Sequence, residues 1–168
     1  MSEIRMVDSG WRWLPLGLLL LGLDQWTKWL VARSVALYEM ITVLPVLDIT
    51  HAQNLGAAFN FLARAGGWQR WFFTVLALGV SGAIVYYLRR LNSRAQPLQC
   101  AGLVMIAAGA VGNLVDRLRL GHVVDFVHVH WGSAEFPSFN VADSCITVGA
   151  GLIILESLLE ARRSRTTT

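Results

Sequence analysis

A chain of 168 residues that is 55% hydrophobic and only 15% charged departs from soluble globular domains, in which about a quarter of residues carry charge. Its formal net charge of +3 comes largely from arginines that gather at the ends of apolar runs, where they orient a chain beside anionic headgroups rather than grip nucleic acid. These features exclude a soluble enzyme and a nucleic-acid-binding module, and they point to one integral membrane domain over residues 1–168.

The first apolar run, 13–31, follows Arg5 and Arg12. With Ser34-Val35-Ala36 it has the outline of a cleaved signal peptide, but Asp24-Gln25-Trp26-Thr27-Lys28-Trp29 sets charges and bulky rings before that site, so the run is expected to stay as a span. Asp24 and Lys28, four apart, share a helix face and neutralise each other. Residues 32–68 are too many for a simple membrane turn and call for structure of their own. Within them, Ile41 to Thr50 is rich in β-branched residues and fits one or two short strands, with Pro45 at an edge or bend. Gly56-Ala57-Ala58 permits a tight turn after Asn54.

The runs 71–88 and 97–115 contain no charged residue, and at 1.5 Å per residue each covers roughly 27 to 29 Å, close to a bilayer core. Trp68, Trp71 and Phe72 sit where an aromatic belt anchors a span. Small residues (Gly79, Gly82 and Ala83; Gly102, Ala108 and Gly112; Gly149 and Gly151) are placed for close helix packing. Asn113, Asp116 and Arg117, at i, i+3 and i+4, form one polar edge. A clasp within that edge accounts for Asp116, but the five donors of Arg117 exceed what one carboxylate accepts, leaving a substrate backbone or headgroup as an equal reading.

Residues 119–139 make a second outer segment, and the four valines of His122 to His130 predict a strand there. His122, His128 and His130 share one parity, as a zinc site would need, while Asp125 has the other. With no further acid at evident spacing, no metal is expected. The last run, 141–159, follows Asn140; if Asn140 is the N-cap, Asp143 falls at N3, where a carboxylate favours the helix dipole and completes a capping box. That role alone would account for Asp143. Asp125, between Val124 and Phe126, has no such role.

Arg5 and Arg12 precede the first run, arginines 89, 90 and 94 join the second and third, and 162, 163 and 165 close the chain; these eight outweigh six basic residues on or near the other side, Lys28, Arg33, Arg64, Arg70, Arg117 and Arg119, so both termini are expected in the cytoplasm. Cys100 and Cys145 then lie at opposite membrane faces and cannot be bridged. The expected fold is an all-α membrane protein of four transmembrane helices with a small extracytoplasmic β-containing segment.

Two carboxylates in a poorly solvated site share one proton, giving a base to activate water and an acid to polarise a carbonyl. A helix N-terminus favours Asp143 as the ionised partner. An alternative is a proton- or ion-coupled transporter with Asp24, Asp116, Asp125 and Asp143 as a relay, although four spans without repeat symmetry are few for alternating access.

Five blocks occur in order: Leu23-Asp24-Gln25-Trp26-Thr27-Lys28, Asn54-Leu55-Gly56-Ala57-Ala58-Phe59, Gly109 through Asn113 to Arg117, Gly121-His122-Val123-Val124-Asp125-Phe126, and Phe136 through Asn140 to Ser144. Together they resemble the lipoprotein signal peptidase (signal peptidase II) family, aspartic proteases of the bacterial inner membrane. The resemblance implies Asp125 and Asp143 as the catalytic pair and Asn54, Asn113, Arg117 and Asn140 as polar residues that meet substrate around it. It implies structural roles for Asp24, Lys28 and Asp116, and neither metal nor other cofactor. The implied partners are a prolipoprotein, cut before its diacylglyceryl-modified cysteine, and membrane lipid, met by a monomer at the periplasmic face. Ala57, Ala58, Phe59 and Phe61 are expected to cover the site. Ala107-Ala108-Gly109 stands where the family commonly has Gly-Gly, and His51-Ala52-Gln53 is more polar than its usual pattern.

Overall fold

The computed structural model describes residues 8–56 and 66–166; Arg5 and the expected cover, Ala57, Ala58, Phe59 and Phe61, lie outside the described residues. Long helices α1 (Leu14–Ser34), α2 (Trp68–Leu88), α3 (Pro97–Leu120) and α4 (Val141–Thr166) enclose the core. Strands β1 (Met40–Leu44), β2 (Leu47–Asn54), β3 (Val123–Trp131) and β4 (Ala134–Phe139) form one antiparallel sheet in the order β1-β2-β3-β4. The architecture is thus mostly helical with a four-stranded sheet, rather than all-α. The sheet assembles from two distant hairpins, a pairing that no local pattern announces.

Three helices, α2, α3 and α4, are long and apolar enough to cross a membrane. The expected fourth span forms α1, 21 residues long like α2, but it is not among them, with Asp24, Gln25 and Lys28 interrupting its second half. Helices also outrun their apolar stretches. α3 passes position 115 through Asp116 and Arg117 because both side chains find partners within the fold, and it ends only at Gly121, whose φ of 84° suits a left-handed C-cap.

One apolar cluster, Ile84, Leu88, Leu91, Cys100 and Val104, joins α2 to α3; another, Val31, Val35 and Phe126, seats the sheet on the end of α1. α3 and α4 touch backbone to backbone: a Cβ on Gly102 would lie 2.6 Å from the Gly149 carbonyl, and one on Gly149 would lie 2.5 Å from the Gly102 carbonyl. The expected close packing holds there and at Gly112, beside Asp24. It fails at Gly79, Gly82 and Gly151, where an added Cβ would meet nothing within 4 Å. α2 instead buries Thr74, Ser81, Ile84 and Leu88 and leaves its glycines outward.

At the centre, Lys28 Nζ lies 2.9 Å from Asp24 Oδ2 and 2.9 Å from Asp116 Oδ2, with all three side chains at most 4% exposed. Asp116 therefore turns to Lys28 rather than to a clasp with Arg117, whose guanidinium is directed to the Gly56 carbonyl instead. Gln25 Nε2 donates toward Asp24 Oδ2 (3.2 Å) and Asp116 Oδ1 (3.0 Å). The backbone N–H groups of Ala142 and Val124 donate to Asp24 Oδ1 (2.9 Å) and Asp116 Oδ2 (3.2 Å). One ion cluster thus fixes α1, α3, the start of α4 and the start of β3.

Lys28→Met leaves two buried carboxylates facing each other without a cation, and it is expected to cost about 3–5 kcal/mol, read as a lower melting temperature in detergent. An unchanged melting temperature would contradict the cluster's role.

Candidate active site

β3 carries Asp125 and the first turn of α4 carries Asp143, and both line one cavity of about 890 Å³ together with Asn54, Asn113 and Arg117. Asn140, fully buried, ties the two acids. Its Nδ2 donates to Asp125 Oδ1 at 2.6 Å, with Val124 O and Asn113 Oδ1 at 3.3 Å. Its Oδ1 accepts from the Asp143 N–H (3.0 Å), while its own N–H donates to Asp143 Oδ2 (3.3 Å). This is the expected reciprocal capping box, so Asp143 is a helix-terminal acid and a wall of the cavity at once.

Two more asparagines complete the arrangement. Asn54 Nδ2 donates to Asp125 Oδ2 (3.0 Å) and its Oδ1 accepts from Gly56 N (2.9 Å). Asn113 Nδ2 donates to Asp143 Oδ1 (2.8 Å) and its Oδ1 accepts from Lys28 Nζ (3.0 Å). Every carboxylate oxygen of the pair therefore receives an N–H, and Asn113 couples the pair to the Lys28 cluster.

The charge of Asp125 is nonetheless disfavoured. Burial, and next the nearby Asp143 carboxylate, push its pKa up to about 7, against the opposing pull of the Asn54 and Asn140 hydrogen bonds and of Lys28. Two acids so close exchange a proton as a unit.

Arg117 lies on the same wall. It donates to the Gly56 carbonyl (2.7 Å) and toward the Asn113 carbonyl (3.4 Å), and its guanidinium sits 4.9 Å from the centroid of the Phe73 ring. Its Nε is buried without a hydrogen-bond partner.

The histidines do not converge as their parity allowed. His130 Nε2 and His128 Nδ1 lie 3.3 and 3.8 Å from Asp48 Oδ2, outside the cavity, and His122 precedes the strand. An acid does accompany the pair, against expectation, because the β2–β3 register sets Asp48 opposite His128 from 80 positions away. Among the described residues, no group of three or more His, Cys, Asp or Glu could hold a metal ion.

Sequence reasoning passed over Gln25, although an amide beside Asp24 in an apolar run was a usable signal. It also passed over the apolar wall of the cavity, Phe73, Leu76 and Val80 from α2, Ile106 and Ala110 from α3 and Ile146 from α4. Those residues look like any other span residues until the helices pack.

A buried carboxylate pair held by amides, opening on an apolar cavity between long apolar helices, has the parts that a membrane-embedded hydrolase needs. A family model described as Signal peptidase (SPase) II matches residues 16–159, and the chain belongs to that peptidase family. A protein named lipoprotein signal peptidase from Pseudoalteromonas translucida (strain TAC 125) is 48% identical over 149 residues, covering 89% of each chain. Another of that name from Shewanella pealeana (strain ATCC 700345 / ANG-SQ1) is 47% identical over 155 residues, covering 92% of this chain and 91% of its own. A bacterial membrane enzyme solved by the in meso method at 2.3 Å resolution superposes with a TM-score of 0.77 at 32% identity, over 86% of each chain.

Because the folded protein holds the Asp125 proton more tightly than the unfolded chain does, the stability this group contributes is fully present below the unfolded value near ~4 and is lost as pH rises toward about 7. Melting temperatures across that range should fall less steeply for Asp125→Asn than for the wild type. An identical slope would assign the pH dependence to other groups.

Proposed function

We propose that the chain is an aspartic endopeptidase that removes the signal peptide of prolipoproteins, cutting just before the diacylglyceryl-modified cysteine. The observation that carries this reading is the pair Asp125 and Asp143, each oxygen held by an N–H, on one cavity wall. Asp143, at the positive end of α4, acts as the base that takes a proton from water. Asp125, whose pKa of about 7 keeps a large share of it protonated at neutral pH, donates to the scissile carbonyl oxygen as the water oxygen adds to carbon. Collapse of the tetrahedral intermediate breaks the C–N bond, with a proton passing to the leaving amine.

Asn54 and Asn113 line the cavity and hold the acids, so they are suited to meet substrate as well. Asn140 is fully buried and acts by positioning. Arg117 lines the same cavity and is suited to meet a substrate carbonyl or headgroup. The apolar wall suits acyl chains that enter sideways from lipid. α1 serves as a fourth span, its polar residues turned to the Lys28 cluster. The positive-inside bias of residues 89, 90, 94, 162, 163 and 165 favours cytoplasmic termini, with the sheet and the acids at the periplasmic face of the inner membrane. The whole chain acts as one domain and as a monomer, without cofactor. The transporter reading finds no support in the comparisons.

Asp125→Asn and Asp143→Asn, made singly, should each lower cleavage of a lipidated precursor by about 10²–10⁴-fold, and a chelator should leave the wild type unchanged. Near-normal turnover in either variant would remove the pair from catalysis. A reporter fused after Thr168 should be active only in the cytoplasm, and the opposite result would invert the topology.

A further inference from the structure

The C-terminal end of α2 carries a second constellation. At ~1.5 Å per residue it lies about 24 Å along the axis from Phe73 on the cavity wall. The Arg89 guanidinium sits 3.9 Å from the centroid of the Tyr86 ring and that of Arg90 sits 5.1 Å from it, while Arg90 also donates to Tyr86 Oη at 2.9 Å. Both arginines are exposed. Among the described residues neither meets a carboxylate, whereas the neighbouring Arg94 pairs with Asp8 at 3.7 Å. Each guanidinium has five donors, far more than the single Tyr86 hydroxyl can accept. Stacking on the ring holds both heads in place before any ligand arrives.

On the same helix, Gly79, Gly82, Ala83 and Tyr86 fall at i, i+3, i+4 and i+7, one face. That face is open: an added Cβ at Gly79 or Gly82 would meet nothing within 4 Å. Exposed Val75 and Leu78 border it. The result is an apolar furrow of small residues that runs into the two arginines. Trp11, 36% exposed, stands beside it with its indole N–H on the Val85 carbonyl at 2.8 Å, as an interfacial anchor does.

We propose that this end of α2 binds an anionic phospholipid, the phosphate between Arg89 and Arg90 and one acyl chain in the furrow of Gly79, Gly82 and Ala83. The charges favour this occupant over a second copy of the chain. Copies in one membrane share an orientation, so packing through the furrow would bring two Arg89–Arg90 pairs together without a counter-charge. A phosphodiester supplies that charge and its chain fills the furrow. The site is independent of the catalytic reading.

Native mass spectrometry of the purified chain in detergent, with phosphatidylglycerol or phosphatidylcholine added, tests the site. The wild type should retain phosphatidylglycerol in preference to phosphatidylcholine. The double variant Arg89→Gln, Arg90→Gln should lose phosphatidylglycerol affinity about 30-fold, the effect of two basic residues near a headgroup, while precursor cleavage in detergent stays at the wild-type rate and reports an intact fold. Gly82→Leu, which fills the furrow and keeps the charges, should also weaken phosphatidylglycerol binding. Equal binding of the two lipids by the wild type, or undiminished phosphatidylglycerol binding by the double variant, would overturn the proposal. So would inorganic phosphate alone displacing the lipid at equal concentration, which would make the site one for a free anion, or a dimer that Gly82→Leu dissolves.

Discussion

Lys28 is buried between Asp24 and Asp116 at 2.9 Å from each, and the geometry of the acids follows from that contact. A lone ammonium or carboxylate here would carry a desolvation cost of several kcal/mol, so the three groups tolerate burial only together and only with their remaining hydrogen-bonding capacity filled. Gln25 and the backbone N–H groups of Val124 and Ala142 fill it. Val124 and Ala142 each stand one residue from an acid, Asp125 and Asp143. The cluster therefore sets the two carriers of the acids, β3 and the start of α4, against one another, and Asn113 extends it to Asp143 itself.

The two acids sit in a mismatch between local and global environment. Locally each acid is treated as an anion, with an N–H on each oxygen. Globally burial and mutual repulsion prevail at Asp125, whose pKa reaches about 7. Held firmly yet uneasy in its charge, Asp125 suits donation of a proton at neutral pH. Asn140 enforces the relation because its one side chain bonds both the Asp125 carboxylate and the Asp143 backbone.

α2 contributes differently at its two ends. Near Phe73 it supplies apolar wall and a ring for Arg117. Near Tyr86 it packs on the bundle through Ile84 and Leu88, and the face of Gly79, Gly82 and Tyr86 is turned outward. A mixed inward face and an outward glycine stripe follow from α2 packing on α3 through Ile84 and Leu88, with α4 claiming the glycine contacts of α3.

By itself the sequence determined the apolar helices, the strand around Asp125, strand structure interrupted near Pro45, the Asp24–Lys28 pair and the cap that places Asp143 at N3. All of these rest on contacts within a few residues or on composition. It also marked Asp125, Asp143 and the asparagines beside them, since polar groups are conspicuous in apolar surroundings, but not Gln25 or the polar cavity residues Gln53, Ser138, Ser144 and Thr147. Only the tertiary structure decided their partners: Asp116 with Lys28 rather than Arg117, Arg117 with Gly56, Asp48 with His128 and His130, and the cavity wall drawn from three helices. It also decided which glycine stripe is packed and which is open. Those choices depend on how helices and hairpins far apart in sequence come together, and neither periodicity nor spacing along one element carries that information.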